Sequence, residues 1–401
     1  MTYNKLQETT QMNIHVNGNT IRSLRSRYKA TLKQASYMTG IEEGILDDWE
    51  KNGTDMSLTQ AKAFAKKFNS HWSVLLLKSD VEPIKEAVNH RAGYSDNARF
   101  SMATMRAYEN ARLLLNSSIE IDGQTVDPSL KKLCNSSNPD VIDCAHKTRQ
   151  LLEITPEIMK SVKGGPPGVY QFWSNALSSA GIYVSEQDMP DDETKAFLME
   201  DEDRAVIVIS KNDRYPHSKV FSLLHELGHV VRGESSAACT ATISAKRLDP
   251  TEAWCNKFAS EMIVPDSLLM KDALIDTVKS SADPAGIIRT LSTKYRASFT
   301  VIMYKLLQHD KLTDKQYFEM QTFFEKVILP KFKIKIDPEK EIKLGKAYHI
   351  NKDVKRASPS LSREVLAKHM SGALSYSQVA KLLGTKARYI EDIKSAVGFG
   401  Q

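Results

Sequence analysis

The sequence predicts an α+β fold that is mainly helical, and three observations carry that reading. Helical periodicity recurs at 13–80, 213–231, 250–265, 287–320 and 360–397, whereas β-type runs are confined to three short stretches between 181 and 209. The last of those stretches leads into an amphipathic helix that carries an unusual set of polar residues. Finally, 401 residues at 41% hydrophobic content are enough for two or three domains, with no apolar run long enough to span a bilayer. The net charge of +6 is too mild to argue by itself for nucleic acid.

Residues 13–80 break into short helices at 20–28, 32–38, 42–51 and 58–68, with a last piece near 73–77. Gly40 falls at the turn between the second and third, which is the spacing of a helix-turn-helix; a plain helical bundle is the alternative. Ala35 is small where two helices cross, and Leu46 and Trp49 supply the packing side of the third helix. That helix also carries Glu42, Glu43, Asp47, Asp48 and Glu50, which phosphates repel. Candidate phosphate-gripping residues therefore sit on the first two helices: Arg22, Arg25 and Lys33, with Arg27 and Lys29 beside them. A protein-binding role competes with DNA binding here.

The β-type runs are 181–185, 195–199 and 205–209, separated by acidic turns at 188–192 and 200–203. They predict a small sheet whose edge strand can pair with an extended substrate. Next comes a helix over 213–231, with Asn212 or Asp213 as cap and Gly233 as stop. Val220, Leu223, Leu224, Leu227 and Val231 form its packing stripe, while His225, Glu226 and His229 leave that stripe together. His225-Glu226-Leu227-Gly228-His229 is a His-Glu-x-x-His motif, in which two imidazoles one turn apart can grip one metal ion beside a carboxylate base. Gly228 would allow another element close approach.

A hydrolytic zinc site needs a third protein ligand and an open position for water. The helix predicted over 250–265 offers Glu252 and Glu261, nine residues apart and so on opposite faces. Glu252 is the candidate ligand, and Asn256, one turn on, is a candidate to orient it. Glu226 is then the candidate general base. For the oxyanion, Tyr215, His217 and Lys219 are available at the start of the first helix, and the choice stays open.

Residues 287–320 read as helical around the apolar 300–304. The lysine-rich 330–356 contains a strand-like 332–336 and reads as a solvated linker or edge. Residues 360–397 repeat helix-turn-helix spacing around Gly384, with Lys386 and Arg388 on the expected third helix as candidate nucleic-acid contacts. The four cysteines form no CxxC pair, and the opening residues have no apolar signal core, so reduced thiols in a cytoplasmic protein are expected. Cys239 and Cys255 read as buried structural thiols rather than ligands.

The stretch 220–229, followed by Glu252-x-x-Cys255-Asn256-x-Phe258-Ala259-x-Glu261 and Pro265, resembles the ImmA/IrrE metallopeptidases, as does the strand at 205–209. The resemblance implies that His225, His229 and Glu252 bind one zinc ion and that Glu226 is the catalytic base. Residues 40–50 are similar to the Xre/Cro-type helix-turn-helix that many such proteins carry, and 81–91 with 106–115 are similar to their linker. The layout expected from residues and resemblance together is a helix-turn-helix domain at 13–80, a helical linker at 81–164 and a zincin-like metallopeptidase domain at 165–270. A helical extension at 271–328 and a basic region with the second helix-turn-helix-like segment at 331–401 complete it. The implied function is cleavage of a partner helix-turn-helix repressor, in prophage, mobile-element or stress control. The alternative is a non-proteolytic DNA-binding regulator or antitoxin that neutralises a PIN-type ribonuclease toxin. Neither involves a membrane.

Overall fold

The computed structural model describes residues 13–27, 30–68, 70, 72–76, 101–131, 133–134, 139–190, 193–233, 250–331 and 345–399. The expected linker at 81–91, the strand-like 332–336 and Cys239 lie outside them. The chain divides into two compact units, 1–87 with 96–109 and 88–95 with 110–401.

The first unit is built from α1 (Gly18–Arg27), α2 (Leu32–Thr39), α3 (Glu43–Asn52) and α4 (Leu58–Lys67), closed by a 3-10 turn at Trp72–Leu76. Ile21, Leu24, Ala35, Leu46, Phe64 and Phe68 form its core. A Cβ at Gly18 would stand 2.6 Å from the Glu50 carbonyl oxygen, so α1 and α3 meet backbone to side-chain-free backbone. Two short strands that periodicity did not predict, β1 (Asn13–Val16) and β2 (Thr54–Ser57), pair antiparallel with Ile14 opposite Met56. Four residues are too few to show an alternating pattern. Ser57 then caps α4 in a reciprocal capping box with Gln60.

Helix α5 (Met102–Glu120) contributes its first eight residues to the first unit and the rest to the second. The second unit continues with α6 (Pro128–Lys131), α7 (Val141–Leu151), α8 (Pro156–Ser161) and α9 (Gly165–Ser179). Its sheet has the order β3-β5-β4, from β3 (Ile182–Gln187), β4 (Ala196–Asp201) and β5 (Arg204–Ser210). β3 runs parallel to β5 with Ile182 opposite Ala205, and β4 runs antiparallel with Ala196 opposite Ile209. Central β5 is fully buried from Ala205 to Ile209, which explains an unbroken apolar run rather than an alternating one.

Helix α10 (Pro216–Arg232) starts later than expected. Asp213 accepts a bond from the Tyr215 amide, and Pro216, with φ preset and no N–H to satisfy, occupies the first turn. Gly233, at φ 65°, ends the helix. Then come α11 (Pro250–Ile263), α12 (Asp266–Leu269), α13 (Ile275–Val278), α14 (Pro284–Tyr295), α15 (Phe299–Gln308) and α16 (Asp314–Phe323). The C-terminal helices are α17 (Lys346–Arg356), α18 (Pro359–Met370), α19 (Tyr376–Leu382) and α20 (Ile390–Ala396). Ser185 of β3 donates to the Arg356 carbonyl and Tyr183 to Glu364 of α18, so these helices cover the β3 side of the sheet. β4 is the opposite edge.

Three expectations are corrected. Residues 346–356, read as the end of a solvated linker or edge, form α17, with Ile350 and Val354 buried. Cys134 and Cys144 are joined by a disulfide, with Cα atoms 6.1 Å apart, so the cysteines are not all thiols; the short connection into α7 brings together residues whose spacing carries no pairing signal. Lys386 and Arg388 do not lie on the third C-terminal helix: Arg388 sits in a 3-10 turn, Ala387–Tyr389, and α20 begins only at Ile390 with Glu391 and Asp392 in its first turn. No helix among the described residues is long and apolar enough to cross a membrane.

Candidate metal centre

The site is made where α10 and α11 cross. The expected stripe of α10 packs into the core, but its other face is not left to solvent. Every residue from Val220 to Val231 is buried, His225 and Glu226 completely. α11 supplies the cover, and Gly228 is where it comes closest. A Cβ there would meet Cys255 Sγ at 3.1 Å and Phe258 Cδ1 at 3.3 Å. Trp254 fixes the near end of α11: its indole N–H donates to the Pro139 carbonyl at 2.8 Å, and its ring stacks on Phe258 beneath the Arg232 guanidinium.

The helical i,i+4 spacing sets the His225 and His229 rings 5.2 Å apart. Glu252 faces both from α11, with Oε2 3.2 Å from His225 Nε2 and Oε1 3.5 Å from His229 Nε2. One ligand atom from each of the three lies within 4.8 Å of the others. His225 Nδ1 is 2.9 Å from Asn256 Oδ1. The amide oxygen accepts the Nδ1–H, which fixes the tautomer and leaves the Nε2 lone pair directed at the cluster. Asn256, expected to orient Glu252, makes this bond to His225 instead.

Burial works to lower the His225 pKa, but the carboxylates of Glu252 and Glu226 outweigh it and hold the imidazole above its ordinary range. An imidazole so surrounded holds a cation, and a proton competes there with a divalent metal. Two imidazole nitrogens and a carboxylate oxygen are the donor set of a catalytic zinc site with one position left for water. The residues fit the ion.

Glu261 faces away, as the nine-residue spacing requires, and bonds Lys305 Nζ at 2.6 Å. Of the oxyanion candidates, Lys219 is paired with Glu186 at 2.8 Å. Tyr215 packs against Phe324, and burial pushes its hydroxyl up to about 12. His217 is held down to about 4 by burial.

The nucleic-acid candidates are not one group. Arg25 donates to both carboxylate oxygens of buried Glu50 and to the Ala30 carbonyl, so its guanidinium is turned inward. Arg22, half exposed, also leans on Glu50. Lys33 is exposed, as are Lys386 and Arg388, the latter stacked on Tyr389. The first three belong to one unit and the last two to the other. Sequence reasoning missed Lys305, which is buried among Val301, Ile302 and Leu306. A lysine on an apolar stripe was the available signal.

Residues 177–307 match the family model of the IrrE N-terminal-like domain. The matched span runs from the end of α9 to the end of α15 and contains His225, Glu226, His229, Glu252 and Asn256. No curated protein and no solved structure matches the chain.

Proposed function

We propose that the second unit is a zinc-dependent metalloendopeptidase that acts on a regulatory partner protein. The observation that carries this reading is the convergence of His225, His229 and Glu252 from two crossing helices, with Glu226 buried beside them. These three residues would hold a zinc ion, which when bound would acidify a water and polarise a scissile carbonyl. Glu226 takes the proton of the attacking water and delivers it to the leaving amine. Burial keeps bulk water from competing for that proton.

The partner is a transcriptional repressor of helix-turn-helix type. The first unit supports recognition of protein rather than DNA: two of its candidate phosphate-binding arginines, Arg22 and Arg25, are drawn onto Glu50, and α3 exposes Glu43 and Asp48. The test is Glu226→Gln in the full chain, with zinc content and cleavage of candidate repressors both measured. Retained zinc with cleavage lowered by about 10²-fold or more is expected. Normal cleavage by the variant removes Glu226 from the mechanism.

A further inference from the structure

Behind α11, on the face turned away from the metal cluster, lies a second set of charges. Lys305 of α15 is 1% exposed, and its ammonium stands 2.6 Å from Glu261 Oε2 and 2.6 Å from Asp266 Oδ1. The Asp266 amide donates back to the Glu261 carboxylate at 3.0 and 3.2 Å. His309 Nε2 is 3.0 Å from Asp266, and His146 Nε2 is 3.8 Å from Glu261. Arg149 of α7, also buried, donates to the carbonyl of Met262 in the last turn of α11. Two buried cations thus hold the C-terminal end of the helix that presents Glu252.

Burying this many charges is costly, and apolar side chains of equal volume would often hold a helix as well or better. Apolar packing restrains a helix through shape alone, whereas an ammonium between two carboxylates adds charge-assisted bonds with a preferred direction that a rotation of α11 has to distort. Glu252 and Glu261 are nine residues apart, about two and a half turns, so the azimuth of one dictates the azimuth of the other. A rotation of about 10° moves a side-chain tip roughly 6 Å from the helix axis by roughly 1 Å. Metal–ligand distances tolerate only about 0.2 Å.

We propose that Lys305 is a positioning residue for the metal centre: by locking Glu261 and Asp266 it sets the rotation of α11, and so places Glu252 and Asn256 against the two histidines. This rests on the metal reading above. Lys305 acts through α11 and does not touch the substrate.

The test uses the full chain and zinc itself, with affinity read by competition against a chromogenic chelator and folding read by thermal unfolding. Lys305→Met alone leaves Glu261 buried without its counter-charge and can fail to fold. The double variant Lys305→Met/Glu261→Gln removes the two fully buried charges, keeps the volume and leaves the more exposed Asp266 its contact with His309. Positioning predicts that this variant melts cooperatively near the wild-type temperature yet binds zinc about 10–100-fold more weakly. Ile393→Val, a buried apolar change on α20, is expected to lower the melting temperature and leave zinc affinity unchanged. A folded double variant with wild-type zinc affinity overturns the proposal and leaves the cluster a core ion pair only. Failure of the wild-type chain to bind one zinc overturns the metal reading, and the proposal falls with it.

Discussion

Gly228 lies between the two histidines, and replacing it by alanine sets two effects of known sign against each other. On an exposed helix the change is favourable by about 1 kcal/mol, because alanine restricts the unfolded backbone and helps the helix. Here the added methyl would meet Cys255 Sγ at 3.1 Å, Cys255 Cβ at 3.3 Å and Phe258 Cδ1 at 3.3 Å, all tighter than ordinary van der Waals contact. Cys255 and Phe258 are fully buried, so neither can swing into solvent. Relief requires α11 to retreat by a few tenths of an ångström, and overpacking of this kind costs about 1–3 kcal/mol. The net expectation for Gly228→Ala is a loss of about 1 kcal/mol. It is best measured by urea unfolding of the metal-free chain, since bound zinc would add its own stabilisation. Trimming the neighbour tests the cause: Cys255→Ala removes the closest contact, and the pair should couple by about 1 kcal/mol in a double-mutant cycle. If Gly228→Ala raises stability by about 1 kcal/mol, or if the two changes add without coupling, then the close crossing of α10 and α11 is not what this glycine serves.

Two further predictions concern stability away from the metal. Burial holds His217 down to about 4, so between roughly pH 6.5 and 4 the unfolded chain takes up a proton that the folded chain refuses. Stability therefore falls on acidification through that window by up to about 3 kcal/mol, and His217→Gln should flatten this part of the pH profile; an unchanged slope would place the titration elsewhere. The Cys134–Cys144 bridge closes a loop with a sequence separation of 10, which the chain-entropy argument values at about 3 kcal/mol. Reduction should lower the urea midpoint, and Cys134→Ser should lower it equally without reductant. A midpoint indifferent to both would show that the bridge constrains nothing.

The metal cluster was legible in the sequence because every step of the inference was local. The i,i+4 spacing of His225 and His229, the packing stripe beside them and the nine-residue spacing of Glu252 and Glu261 are all periodicities within a single helix. The boundaries that shifted, at Pro216 and at Ile390, did so by about one turn, where a proline or a 3-10 turn decides the start. What stayed hidden joins residues distant in the chain. Asn256 could be placed on the right face of α11, but that its amide reaches His225 depends on how closely α10 and α11 approach, and hence on Gly228. β1 and β2 are too short for periodicity, and the inward turn of Arg25 follows from Glu50 on a different helix. Lys305 shows the limit most clearly. Its partner Glu261 lies 44 residues away, and neither residue means anything alone. On the positioning proposed above, a chain that keeps His225, Glu226, His229 and Glu252 but loses the ion pair behind them would keep its motif intact and bind zinc poorly.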